Sequence, residues 1–207
     1  SMQKDEDNAR LARESVEAEM YYLKYQINPH FLMNTLNNIH ALIDIDADSA
    51  KRGIVELSGM MRHVVYESTA ERIPLSKDVE FLQNYIELMR IRYCQDIEIK
   101  FNYPNPTPLT LTVPPLVLIV FVENAFKHGI ARKKHSYIHI DIAIEDDSVV
   151  ARFENSLFQN SSSKGGGVGL DNVSRRLEHI YGDRHTLDIV RSSDSYCVTL
   201  KVPIENE

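Results

Sequence analysis

The chain has 207 residues, 43% of them hydrophobic and 26% charged, with a formal net charge of -7. That length holds one large domain or two small ones, each with a buried core, and the composition is that of an ordinary globular protein. The negative balance leaves no basic footprint of the kind nucleic acid requires, so nucleic acid is excluded as a partner.

Cys94 and Cys197 fit no metal spacing and are too few for a disulfide framework; they read as reduced thiols, which suits a cytoplasmic setting. No apolar run reaches the ~20 residues a membrane-spanning helix needs. The longest, Val113 to Val122, holds two prolines and stops at Glu123. Ser1-Met2 reads as a tag remnant, and the chain as a piece of something longer.

In chain order, Asp5 to Gln26 is rich in helix formers and predicts a helix. Pro29 interrupts it, either as a kink or as the first position of a new helix capped by Asn28. Phe31, Leu32, Leu36, Ile39 and Ile43 then resume a helical stripe, and Asp44 to Ser49 reads as a turn. A second stripe (Ile54, Leu57, Met61, Val65) predicts a helix from about Ala50 to Tyr66. A third helix follows Ile73-Pro74-Leu75, with Ser76 as its cap and Val79, Leu82, Ile86 and Met89 on one face. Helices of this kind usually form a bundle.

The pattern changes after Arg92. Asp96 to Tyr103 alternates as a strand does, and Asn102 to Pro108 is a proline-rich loop. Pro114-Pro115 opens a predicted helix to about His128. Strands follow at Tyr137 to Ile144 and Val149 to Phe153, joined by Asp146-Asp147. Ser156 to Gly167 is Ser/Gly-rich, a helix runs from Leu170 to Tyr181, and strands at Thr186 to Arg191 and Tyr196 to Val202 complete the chain.

Two segments carry chemistry. In Val122-Glu123-Asn124-Ala125-Phe126-Lys127-His128-Gly129, helical spacing puts Glu123 beside Lys127 and Asn124 beside His128. The Asn carbonyl is a hard oxygen suited to Mg2+, and Lys127 or His128 could meet phosphate charge. The alternative is a helix with its polar side in water. In Gly165-Gly166-Gly167-Val168-Gly169-Leu170-Asp171-Asn172, glycines let backbone amides approach a ligand and the helix start favours an anion. The segment is neither the dinucleotide fingerprint nor a P-loop, and a flexible linker would look the same.

In this order and spacing the two segments resemble the GHKL ATP-binding fold. The resemblance implies that Asn124 holds Mg2+, that Glu123 orients chemistry at the γ-phosphate, and that Gly165, Gly167 and Gly169, with Leu170 and Asn172, belong to a phosphate-binding lid. Where that fold carries Asp-x-Gly for adenine, this chain reads Phe153-Glu154-Asn155-Ser156, so Glu154 or Asn155 would accept from the base. A third segment, Gln26-Ile27-Asn28-Pro29-His30-Phe31-Leu32-Met33-Asn34-Thr35-Leu36-Asn37, is similar to the phospho-acceptor box of LytS/YehU-type sensor histidine kinases, which usually has Phe in place of Met33.

That resemblance spans about Leu23 to Val202. It implies an α+β chain in two parts: residues 1–94, a helical dimerisation and phospho-acceptor bundle, and residues 95–207, a two-layer α/β sandwich that binds ATP. It further implies ATP and Mg2+ as cofactors, a homodimer, a response regulator as partner, no membrane contact in this piece, and a membrane-anchored full-length protein. His30 would be the acceptor: imidazole is largely neutral near pH 7, so one nitrogen can attack phosphorus, while Asn34 could fix the tautomer. The competing reading is a non-catalytic partner-binding or scaffold module with a degenerate nucleotide site, for which the altered Glu154-Asn155-Ser156 is the support.

Overall fold

A computed structural model describes residues 29–67, 70–93, 97–131, 134–158 and 168–205. The helix expected over 5–26, Cys94, Gly165 and Gly167 lie outside the described residues. Helix α1 is Pro29–Leu42, α2 is Ala47–Glu67 and α3 is Leu75–Arg92. Helix α2 starts three residues earlier than its stripe implies, because Asp46 caps it: the Ser49 N–H donates to Asp46 Oδ1 at 3.0 Å and its hydroxyl to Oδ2 at 2.6 Å.

At α3 the expected Ser76 cap is not used. Ile73–Pro74 forms a short strand, β1, paired antiparallel with β3 (Thr112–Val113), and the helix begins directly at Leu75. Its predicted single stripe is also too narrow. Leu75, Asp78, Phe81, Tyr85 and Leu88 are buried as well as Val79, Leu82, Ile86 and Met89, because α3 is covered on two sides. On one side the His63 ring of α2 stacks on Phe81 at 4.5 Å. On the other, Tyr85 meets Phe126 edge-on at 5.8 Å; Phe126 belongs to α4 (Leu118–His128).

The predicted opening of α4 at Pro114-Pro115 is corrected too. Leu116 sits at φ +60°, a left-handed backbone that ends any continuous helix there, and α4 starts at Leu118. Beyond it, β2 (Ile97–Asn102), β4 (Ser136–Glu145), β5 (Ser148–Ser156), β6 (Thr186–Arg191) and β7 (Ser195–Pro203) form one sheet. Its order is β2-β4-β5-β7-β6, with β2 and β4 parallel and the other pairs antiparallel.

Alternation gives this sheet two unlike faces. Ile138, Ile140, Ile142, Val149, Ala151, Phe153, Val198, Leu200 and Val202 are buried in the core with Phe121, Val122 and Ala125 of α4. The same core holds Val173, Leu177 and Tyr181 of α5 (Val168–Tyr181). Phe121 stacks on Phe153 at 5.1 Å. On the opposite face the cross-strand neighbours are charged: Glu98 accepts from His139 at 2.6 Å and pairs with Lys100 at 2.7 Å. Those two bonds, Lys100 first, hold the Glu98 carboxyl down at about 2. This is a two-layer α/β sandwich laid against a helical bundle.

Candidate nucleotide site

Helix α4 is apolar along the side that meets the sheet, and its polar residues leave from the flanks. Asn124 leaves toward the end of β5. There it lines one small cavity of about 10 Å³ with Phe121, Ala125, Phe153, Asn155, Leu170, Tyr196 and Val198. Three residues singled out in sequence, from three separate elements, therefore converge: Asn124, Asn155 and Leu170. The Asn124 side-chain nitrogen is buried there without a hydrogen-bond partner among the described residues. An unpaired buried amide N–H costs free energy, and it leaves a donor at the wall of this void for an acceptor oxygen to meet.

Alternation along β5 puts Glu154 and Asn155 on opposite faces of the sheet. Asn155 is on the inner side of the sheet and 2% exposed, opposite Tyr196 in register. Its amide donates to the Ser156 carbonyl at 2.8 Å, which turns the side-chain oxygen to the accepting role. Glu154 is on the outer side, where Tyr137 donates to it at 3.1 Å and Arg152 pairs with it. Glu154 is thus not brought together with the others.

The end of α4 is stapled to this strand. Ser156 donates to the Gly129 carbonyl at 2.6 Å and accepts from the Tyr137 N–H at 3.1 Å. Gly129 has to be glycine: a Cβ would sit 2.6 Å from the Ala125 oxygen and 2.7 Å from the Asn155 Cβ. Gly129 and Ser156 end two of the segments singled out in sequence, but their contact with each other is not marked there, and nothing marks Tyr196 as part of the site. Tyr196 reads only as the start of a strand, and an alternating run does not reveal which residue will face Asn155.

Glu123 leaves α4 on the flank nearer α3. Burial pushes its carboxyl up to about 7, while Lys127 pulls it the other way. Burial, and after it the charge of Glu123, raise the Tyr85 phenol of α3 well above its ordinary value. Burial, and then Lys127, lower the His128 imidazole. Lys127 itself is exposed, as is Asn172 on α5. Gly169 lies in the first turn of α5. His30 and Asn34 lie on α1, but their side chains are outside the described part.

Residues 18–97 match the protein-family model described as histidine kinase. Over those residues the chain is similar to the histidine kinase family, and its sheet and helices share the fold of a histidine kinase domain. Among its relatives is the sensor protein LytS of Oceanobacillus iheyensis, 31% identical over 206 residues, covering 92% of this chain and 35% of that protein. The sensor protein LytS of Streptococcus mutans is 31% identical over 202 residues, covering 91% of this chain and 34% of that protein. The chain thus spans about a third of the length of these relatives. The histidine kinase domain of a blue-light activated histidine kinase from Erythrobacter litoralis superposes with a TM-score of 0.50 at 13% identity. That superposition covers 92% of this chain and 93% of the other, and it bears on the fold alone. Among the described residues no helix is long and apolar enough to cross a membrane.

Proposed function

We propose that residues 95–207 bind Mg-ATP and that His30, in residues 1–94, takes the γ-phosphoryl group, as the kinase core of a two-component sensor. One observation carries this reading: Asn124, Asn155 and Leu170 line one cavity, in the chain order that the ATP-binding resemblance requires. The donor set fits the ligand. Asn124 offers a neutral oxygen for Mg2+, Asn155 presents an acceptor to the base, and the glycines ahead of α5 supply amides for phosphate. Mg2+, when bound, offsets phosphate charge.

The chain's own residues do the rest. A ring nitrogen of His30 forms the new N–P bond as the bond from the γ-phosphorus to its bridging oxygen breaks, leaving ADP. Asn34, one turn on in sequence, is the residue assigned to fix the tautomer. Glu123, near half-ionised around pH 7, is the carboxyl that orients groups at the γ-phosphate, and Lys127 and His128 follow it on the same helix. A response regulator aspartate then receives the phosphoryl group.

Met33 and Leu36 of α1, Ile43 in the turn after it, and Ile54 and Val55 of α2 remain exposed in the single chain, which supports a homodimer through the bundle. The relatives named as sensor proteins are about three times longer than this chain, in keeping with a membrane-anchored whole protein of which this is the cytoplasmic part. Incubation with γ-labelled ATP tests the reading: acid-labile, base-stable label on the protein is expected. ATP bound tightly with no label transferred would favour the scaffold reading.

A further inference from the structure

The packing of α2 on α3 leaves a polar cleft that the chemistry above does not use. Gly59, Arg62 and His63 stand at helical spacing on α2, and Lys77, Glu80, Phe81 and Asn84 do so on α3. Together they line a cleft of about 330 Å³. That volume falls within the range of small-molecule sites, roughly 300–1,000 Å³. The cleft shares no residue with the void at Asn124, which is about 10 Å³. Glycine on α2 keeps it open: a Cβ at Gly59 would lie 2.7 Å from the Asn84 amide nitrogen, so a larger residue would displace that side chain.

Helices in a bundle ordinarily close such a seam with apolar side chains. Here Phe81 is the one large apolar residue in the lining. His63 is 8% exposed, its ring is stacked on Phe81 at 4.5 Å, and its Nε2 is buried without a hydrogen-bond partner among the described residues. A buried polar atom without a partner costs free energy. Burial lowers this imidazole to about 4, with Glu80 opposing the shift and Lys77 adding to it. At neutral pH the ring is therefore uncharged and has one N–H and one lone pair to offer.

Two cations, Arg62 and Lys77, face one carboxylate, Glu80, and none of the three makes an ion pair among the described residues. All three are exposed and carried on long side chains, which can turn toward an occupant and uncover the ring. The excess of positive charge selects an anion, in a chain whose formal net charge is -7. The Asn84 amide and the neutral imidazole add donors and acceptors that a bare inorganic ion would leave unused.

We propose that this cleft binds a small organic anion, with its carboxylate or phosphate group held by Arg62 and Lys77 and a hydroxyl or similar polar group reaching Asn84 and His63. Because both helices contribute, occupancy strengthens the packing of α2 on α3. The site goes beyond the nucleotide reading and does not depend on it.

The test uses the whole chain, isotope-labelled for nuclear magnetic resonance, with malate as a hydroxy-carboxylate probe and glycerol 3-phosphate as a hydroxy-phosphate probe. Saturable shifts of the His63 ring nitrogens and the Asn84 side-chain amide are expected with at least one probe, at a Kd of roughly 1 mM or below. Those signals report on this cleft and not on the Asn124 cavity. Binding of malate alone would identify the anion as a carboxylate, of glycerol 3-phosphate alone as a phosphate, and of both as either oxyanion. Arg62→Gln and Lys77→Gln are exposed changes that should leave melting unaltered. Each should weaken binding about tenfold, the loss of one charge-assisted hydrogen bond. Glu80→Gln, which removes the opposing charge, should strengthen it. Lys51→Gln removes an equal charge from a 77% exposed side chain nearer the start of α2 and should leave the affinity unchanged. No saturable shift with either probe up to about 10 mM, or an equal loss in Lys51→Gln, would overturn the proposal.

Discussion

Glu123 shows how one side chain's surroundings set both its chemistry and its energetic effect. Its carboxyl is lifted to about 7 because burial disfavours the charged form, and the opposing pull of Lys127, one turn along the same helix, is too weak to cancel that cost. The sign of the effect on stability follows from the direction of the shift. Between about pH 4.5 and 7 the folded chain binds a proton at Glu123 that the unfolded chain has lost, so this group's contribution to stability falls as pH rises through that window. Glu123→Gln should therefore come close to wild type at pH 4.5 and be more stable by roughly 2 kcal/mol at pH 8, after allowance for partial solvent access. Equal melting of the two proteins at both pH values would mean that the carboxyl is well solvated.

At the scale of elements, the meeting of α4 with β5 decides whether a cavity exists. Gly129 lets the end of the helix reach the strand, and Ser156 closes the contact through its bond to the Gly129 carbonyl. Gly129→Ala would force a methyl group against a backbone oxygen and against Asn155, neither of which can swing away. A loss of about 1–3 kcal/mol is expected, by the usual cost of overpacking, together with weaker nucleotide binding as Asn155 shifts. Wild-type melting and wild-type binding in that variant would contradict the account of the staple.

Most elements are legible in the sequence because burial imposes a period: 3.6 along α2 and α5, two along β4, β5 and β7. What stays hidden depends on contacts made across the chain. β1 and β3 are two residues each, too short for any period to appear, and exist only because they pair with each other. The left-handed Leu116, held by Asp78 from another helix, delays α4 in a way that Pro114-Pro115 does not announce. The second buried side of α3 (Phe81, Tyr85, Leu88) is present in the sequence but has no evident partner until α2 and α4 flank it. Asn124 and Leu170, which line the cavity, are readable from their motifs, whereas that Asn155 rather than Glu154 lines it with them requires the phase of β5.

For the whole molecule, the central claim is that a nucleotide site in one part serves a histidine in the other. The bundle packs α1 and α2 on one side of α3, the nucleotide part packs the sheet, α4 and α5 together, and α3 joins the two in one continuous core, with His30 at its far end. A change at His30, in the first turn of α1, should therefore leave the cavity of Asn124 and Asn155 intact. The most direct measurement takes His30→Gln and wild type side by side, with γ-labelled ATP for transfer and calorimetry for binding. The variant should bind Mg-ATP as wild type does and take up no label. Wild-type labelling of the variant would contradict it, because the phosphoryl group would then rest on another residue.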